Sequence, residues 1–213
     1  MVIKVADENI RIERLELGQW QTNAYIIVCA RTMESAVIDA PDRADVITDT
    51  LKDTVPRYIL LTHNHRDHIG ALAKLRAGLK VPLGANALDA GNLSSPPERL
   101  LNDGDVLPLG KLEIEVRHVP GHTPGSLCFK VGRYLFSGDT VFPGGPGNTK
   151  SPEAFQQIVK SIRENILVLP EDTQVYPGHG EATELKKEKE EITLFLSRHH
   201  ASDLCGDVVW LTT

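Results

Sequence analysis

Strand-like and helix-like segments alternate along this 213-residue chain, and that pattern predicts an α/β layered fold rather than an all-β barrel. Short apolar or alternating runs bounded by Gly and Pro read as strands. Between them lie segments with 3.6-residue apolar periodicity or helix-start signals. Hydrophobic content of 41% and charged content of 24% fit a soluble globular protein, and the length suits one domain over residues 1–213.

The elements follow in order. Ile10–Leu17 largely alternates apolar and polar residues and reads as a half-buried strand that Gly18 ends. Tyr25–Cys29 and Ala36–Asp39 are the next strands, and Pro41 stops the extended run. Asp42 and Asp45 have capping-box spacing for a helix through about residue 53. Tyr58–Leu61 is a buried strand, and a helix is expected from near His68 to a C′ glycine at Gly78. After a short strand at Lys80–Leu83, the segment Asn86–Arg99 is rich in Asn, Ser, Pro and Gly and reads as irregular surface. Strands resume at Asp105–Leu109, Leu112–Val119, Ser126–Val131 and Tyr134–Phe136. Ser151 as N-cap and Pro152 at the first helical position open a helix whose Phe155, Ile158, Val159 and Ile162 form a core-facing stripe. A strand at Thr173–Tyr176 and a charged, solvated helix over about Ala182–Leu196 complete the series.

Chemistry is concentrated in Thr62-His63-Asn64-His65-Arg66-Asp67-His68, directly after the Tyr58–Leu61 strand. Imidazole and carboxylate are ligands for divalent zinc, iron and manganese. A short loop cannot aim His63, His65, Asp67 and His68 at one tetrahedral ion without strain, but it can feed two adjacent ions. Three more candidates follow strands in Gly- and Pro-flanked turns: His122 in Pro120-Gly121-His122-Thr123-Pro124-Gly125, Asp139 in Ser137-Gly138-Asp139-Thr140, and His179 in Pro177-Gly178-His179-Gly180. Singly, each is an ordinary turn residue; jointly, in this order and after four strands, they point to a two-metal site. His118, His199 and His200 lack such turns and are read as ordinary surface or hydrogen-bonded residues.

The bulk numbers narrow the function classes. Lys plus Arg is 23 against 29 Asp plus Glu, a net charge of −6, which speaks against general nucleic-acid binding. Cys29, Cys128 and Cys205 are odd in number and lack CxxC spacing, so unpaired thiols in a reducing, cytoplasmic setting are expected. No signal-peptide pattern and no membrane-length apolar run are present in the sequence.

The four motifs HxHxDH, GHTPGS, SGDT and PGHG resemble the metallo-β-lactamase superfamily of hydrolases, and within it the glyoxalase II-like branch, over about Ile10 to Leu196. The resemblance implies an αββα sandwich, mixed sheets flanked by helices, with the site where the sheets meet. It implies that His63, His65 and His122 bind one ion, that Asp67, His68 and His179 bind the other, and that Asp139 bridges both. It also matches Asp39 to an aspartate that braces the histidine loop; a turn residue before Pro41 is the equal alternative.

The expected activity is hydrolysis of a thioester or related ester-like bond in a small molecule, by a hydroxide shared between two divalent ions, with Asp67 orienting it. Zinc is the first choice of metal, with iron or manganese as alternatives. Asp139 argues against β-lactamase activity, since true β-lactamases of the superfamily lack it. Glutathione recognition is in doubt, because Arg198 is the only Arg or Lys after the charged helix and Gly144–Lys150 departs from the relatives' pattern. The superfamily also supplies a second reading, a mononuclear iron persulfide dioxygenase using His63, His122 and Asp139. A third is a metal-stabilised binding domain without catalysis.

Overall fold

The computed structural model describes residues 2–213, with side chains from Val5 onward. Two mixed sheets lie face to face. The first runs in sequence order through β1 (Val2–Ala6), β2 (Ile10–Leu17), β3 (Thr22–Cys29), β4 (Glu34–Ile38), β5 (Val55–Leu60), β6 (Leu83–Ala85) and β7 (Arg99–Leu100). Its first four strands pair antiparallel and its last four parallel. The second sheet is built from β8 (Val106–Leu109), β9 (Leu112–His118), β10 (Leu127–Val131), β11 (Tyr134–Gly138), β14 (Gln174–Pro177) and β15 (Thr183–Glu184), in the order β15-β14-β11-β10-β9-β8. Strands β12 (Val141–Phe142) and β13 (Gly145–Pro146) form a separate small hairpin.

Period-2 alternation explains how each strand serves two layers. In β3, Tyr25 and Ile27 point between the sheets, while Ala24, Ile26 and Val28 point to the opposite face. The central layer joins Ile12, Ile38 and Leu60 of the first sheet to Val116, Phe129 and Phe136 of the second. Helices cover the outer faces. The first sheet packs Val37 and Ile59 against Ile47 of α1 (Ala44–Thr50) and Leu72 and Leu75 of α3 (Leu72–Leu79). The second packs Leu135 and Val175 against Ile158 of α5 (Pro152–Ser161) and Ile192 and Phe195 of α6 (Leu185–Leu196). This is the expected αββα sandwich. Trp210 is part of the outer core of the second sheet, whereas Trp20 is exposed.

Several local expectations change. The helix expected from residue 42 to 53 is shorter, Ala44–Thr50, and Asp42 and Asp45 do not cap it. Arg43 enters it in the left-handed region, φ 49°, and its guanidinium pairs with Asp45. The single helix from His68 to Gly78 is two: α2 (Arg66–Ile69) and α3, which ends at a left-handed Lys80 rather than at glycine. The interruption is tertiary, because Ala40 N–H bonds His68 O and Ala71 N–H bonds Ala40 O, both at 2.8 Å. A Cβ at Gly70 would collide with the Pro41 carbonyl. The strand placed at Lys80–Leu83 is Leu83–Ala85, and the charged helix begins at Leu185. Helix α5 follows expectation, with Ser151 Oγ accepting Ala154 N–H, then continues as a π turn over Ile162–Ile166. Within Asn86–Arg99 a short helix α4 (Ala87–Ala90) forms, because Asn86 caps it by accepting Leu88 N–H.

Phe129 is fully buried in the layer between the sheets. Phe129→Ala is expected to reduce unfolding free energy by about 3–5 kcal/mol in urea titration; a loss under about 1 kcal/mol would contradict this packing.

Candidate metal centre

Every candidate residue sits at the carboxyl end of a strand, on the edge where the two sheets meet. His63 and His65 follow β5, and Asp67 and His68 lie on α2 immediately after. His122 follows β9, Asp139 follows β11 and His179 follows β14. A Leu127 N–H to Thr62 O bond of 2.8 Å ties the end of β5 to β10, and Asn23 N–H bonds Gly178 O at 2.7 Å. The edge is therefore stitched across both sheets.

All seven residues converge. The Nε2 atoms of His63 and His122 lie 3.0 and 2.9 Å from His65 Nδ1. Beside them, His179 Nε2 is 3.1 Å from Asp67 Oδ2, and His68 Nε2 is 3.7 Å from that oxygen. Asp139 stands between the two groups: Oδ2 is 3.5 Å from His122 Nε2 and 3.7 Å from His179 Nε2, and Oδ1 is 3.4 Å from His68 Nε2. The donor atoms of His63, His65 and His122 lie within 4.8 Å of one another, as do those of Asp67, His68 and His179.

Hydrogen bonds on the far side of each ring fix the tautomers. A carbonyl can only accept, so His122 Nδ1–H donates to Asn148 O at 2.8 Å and His179 Nδ1–H to Trp20 O at 3.0 Å. His68 Nδ1–H donates to Asp39 Oδ2 at 2.8 Å. Thr62 Oγ1 donates to Asp39 Oδ2 at 2.7 Å and so accepts from His63 Nδ1–H at 3.1 Å. In these four rings the Nε2 lone pair is left aimed at the centre. Lone pairs and carboxylate oxygens facing one another at these distances repel unless protons or metal cations lie among them. His68 Nε2 and Asp139 Oδ1 are buried with no hydrogen-bond partner, which is the signature of atoms reserved for an ion. Ligands of a tetrahedral zinc with bonds of 2.0–2.1 Å are about 3.3 Å apart, close to the spacing of the histidine nitrogens. The residues fit divalent ions.

Asp39 is a bracing residue. Besides His68 and Thr62 Oγ1 it accepts Thr62 N–H at 2.8 Å. It holds φ 60°, a strained conformation for a non-glycine residue that these bonds maintain. Glycine is required at two turns: a Cβ at Gly178 would strike Asp139 Oδ1, and one at Gly138, φ 49°, would lie 2.6 Å from Thr62 Cβ. The His179 turn is held by the first sheet. Arg14 donates to Gly180 O and pairs bidentately with Glu181, Asn23 Nδ2 donates to Pro177 O and Gly180 O, and Tyr25 Oη donates to Pro177 O.

Arg14, Asn23, Tyr25 and Asp89 belong to this network and are absent from the motifs. Asp89, on α4, is 3% exposed and bonds both the His63–His68 loop and the His122 turn. It lies in the stretch expected to be irregular surface. The visible signal was Asn86, a good N-cap three residues before it.

Two cavities open onto the cluster. One of about 880 Å³ is walled by His65, His122, Leu88, Pro120, Lys150 and Gln157 among others. The other, about 350 Å³, includes Asp139, Phe142, Asn148, His179 and Val209. Phe142 lines this second cavity half-buried, its ring centroid 6.4 Å from that of His179. His118 is outside the cluster and bonds Pro124 O, and His200 stacks on Phe195.

Burial lowers the pKa of His63 well below its ordinary value and lowers that of His65. At His68 burial acts in the same direction, but the Asp39 and Asp139 carboxylates override it and raise the pKa to about 10. In chelator-treated protein these shifts give opposite pH dependences. The His68 contribution is full below its unfolded pKa of about 6.5 and is lost as pH rises through about 10. The His63 contribution is full above about 6.5 and falls as the solution becomes more acid. The urea midpoint of metal-stripped protein is therefore expected to peak near neutrality and decline on both sides; a midpoint that climbs steadily from pH 6.5 to 10 contradicts the charge assignment.

A sequence profile described as the metallo-beta-lactamase superfamily matches residues 17–179. The hydroxyacylglutathione hydrolase GloC of Haemophilus influenzae is 30% identical over 203 residues, covering 84% of this chain and 95% of that protein. Among solved structures, the BLEG-1 B3 metallo-beta-lactamase superposes with a TM-score of 0.77 at 29% identity, over 84% of this chain and 96% of that one. ETHE1 from Myxococcus xanthus gives 0.75 at 26%, over 84% and 81%. TTHA1623 in a di-iron-bound form gives 0.71 at 32%, over 83% and 96%. With the αββα sandwich and the His/Asp cluster already in place, these matches show that the chain belongs to the metallo-beta-lactamase superfamily.

Proposed function

We propose that this protein is a dinuclear metal-dependent hydrolase that cleaves a thioester or related ester-like bond in a small-molecule substrate. The observation that carries the reading is the position of the Asp139 carboxylate, one oxygen toward His68 and the other toward His122 and His179. On this reading His63, His65 and His122 hold one ion, Asp67, His68 and His179 hold the second, and Asp139 serves both. Bound ions would supply a water of lowered pKa and a Lewis-acid contact for the carbonyl oxygen. Zinc is the first assignment, and the likeness to a di-iron-bound protein supports iron as the alternative.

The chain's own residues supply the rest. Asp67 has its carboxylate at the cluster and 23% of its side chain exposed, so it can hold the attacking water by a hydrogen bond and take its proton. Asp39, Thr62, Asn148 O and Trp20 O keep four rings in the ligating tautomer throughout turnover. The groove of about 880 Å³ joins apolar wall from Leu88, Pro120, Pro124 and Ala154 to the charged Arg66, Lys150 and Glu153, suited to an extended acyl or thiol portion with polar groups of its own. The cavity on the His179 side has no Arg or Lys among its described lining residues. That asymmetry favours a substrate other than a glutathione conjugate gripped on that side, although the GloC relative supports thioester chemistry.

Persulfide oxygenation at a single iron held by His63, His122 and Asp139 is the second reading, supported by the likeness to ETHE1. The complete Asp67–His68–His179 group favours two ions. Cavities opening onto the cluster favour catalysis over a purely structural metal site, which is normally closed. Three free cysteines support a reducing, cytoplasmic location, and no described helix is long and apolar enough to cross a membrane. Cores with members from Ile10 to Trp210 support reading residues 1–213 as one domain.

Purified protein is expected to carry close to two ions per chain and to hydrolyse members of a panel of thioesters, S-lactoylglutathione included. His65→Ala should reduce kcat/KM more than the roughly 10–100-fold loss that follows removal of an outer partner of a ligand. Oxygen uptake with glutathione persulfide and one iron per chain would replace this assignment with the second reading.

A further inference from the structure

Asp89 ties together the two segments that carry the three-histidine group. Its Oδ2 accepts Asn64 N–H at 3.1 Å and the Thr123 hydroxyl at 2.8 Å, and its Oδ1 accepts Gly125 N–H at 2.9 Å. Its main-chain carbonyl accepts Asn64 Nδ2 at 3.0 Å. Asn64 lies between His63 and His65, and Thr123 directly follows His122. The fit is tight: a Cβ on Gly125 would lie 2.6 Å from the Asp89 carboxylate carbon. Asp89 is itself fixed, because Asn86 caps α4 and its Nδ2 donates to Leu101 O at 3.0 Å. Thr123 is locked from the other side by Ser126 Oγ, which accepts Thr123 N–H at 3.0 Å and lies 2.7 Å from Thr123 Oγ1.

No such bond runs from Asp89 to Asp67, His68, Asp139 or His179 among the described residues. Two of them are held by other means: Asp39 on His68 and Trp20 O on His179, with Arg14, Asn23 and Tyr25 on the His179 turn. Asp39 reaches both halves, through His68 and, by way of Thr62, through His63, whereas Asp89 bonds only the segments of the three-histidine half.

We propose that Asp89 is a positioning residue for the three-histidine half alone: it sets the separation of His65 from His122 and so tunes the affinity of one ion without touching the other. The inference rests on the two-ion reading above. Chemically, only a carboxylate suits the position, because three donors converge on its two oxygens. An amide would turn its NH₂ toward at least one of them and push the loops apart.

The test uses the full chain, stripped by chelator and titrated with zinc in a calorimeter. In a His179→Ala background, which isolates the three-histidine half, Asp89→Asn is expected to weaken zinc binding by about 10–100-fold. In a His65→Ala background, which isolates the other half, the same change should move the affinity by less than about threefold. Thr123→Val removes one of the three donors and should give a smaller weakening, again in the first background only. Circular dichroism confirms folding, and Thr123→Val stands in if Asp89→Asn does not fold. Equal weakening in both backgrounds, or none in the first, overturns the assignment. An unmodified chain that takes up no zinc sinks the two-ion reading, and this inference with it.

Discussion

Repulsion among lone pairs is the constraint on which this structure is organised. Four imidazole Nε2 atoms, His65 Nδ1 and the carboxylates of Asp67 and Asp139 face one another within a few ångströms. Left alone, such a group would rotate apart or draw in protons, as the raised pKa of His68 illustrates. It holds together because four of its rings, those of His63, His68, His122 and His179, are gripped from behind. Asp39 alone restrains Thr62 and His68 directly, and His63 through the Thr62 hydroxyl. A left-handed backbone at Asp39 is the strain accepted for that hold.

The sandwich makes such grips possible. Strands buried on both faces end at fixed heights, so turns leaving β5, β9, β11 and β14 begin from rigid points. Cross-sheet bonds then register one sheet against the other at the edge that matters, through Leu127 to Thr62 and Asn23 to Gly178. Glycines at 138 and 178 let main chain approach to where side chains would collide. The C-terminal segment contributes as well. Thr149 and Gly206 exchange backbone bonds, and Glu188 accepts Gly144 N–H, which fixes the loop whose Asn148 carbonyl orients His122.

The seven converging residues were legible in the sequence because their chemistry is local. Each is a metal-competent side chain in a Gly- or Pro-flanked turn after an apolar run, and the residues quoted for each motif are the ones brought together. Strand positions were legible for the same reason, since alternation in segments such as Ile10–Leu17 is a local property. The features hidden from the sequence are tertiary. Asp89 acts on Thr123 and Gly125, 34 and 36 residues away, from a four-residue helix too short to show periodicity. The break between α2 and α3 arises from Ala40 bonding on both sides of it, and no residue in the helix itself announces it. Asp42 and Asp45 had capping spacing, yet Arg43 took Asp45 as an ion partner and opened the helix in a left-handed conformation. Arg14 reads as an ordinary strand residue until the His179 turn is seen packed against it.

The account reduces to the claim that two cations sit among these side chains and share Asp139. Anomalous diffraction from crystals of the protein as purified, recorded at the absorption edge of its metal, tests it most directly. Two peaks are expected about 3.5–4 Å apart, one bonded to His63, His65 and His122 and the other to Asp67, His68 and His179, with Asp139 contacting both. A single peak, or peaks bonded to other residues, would contradict it.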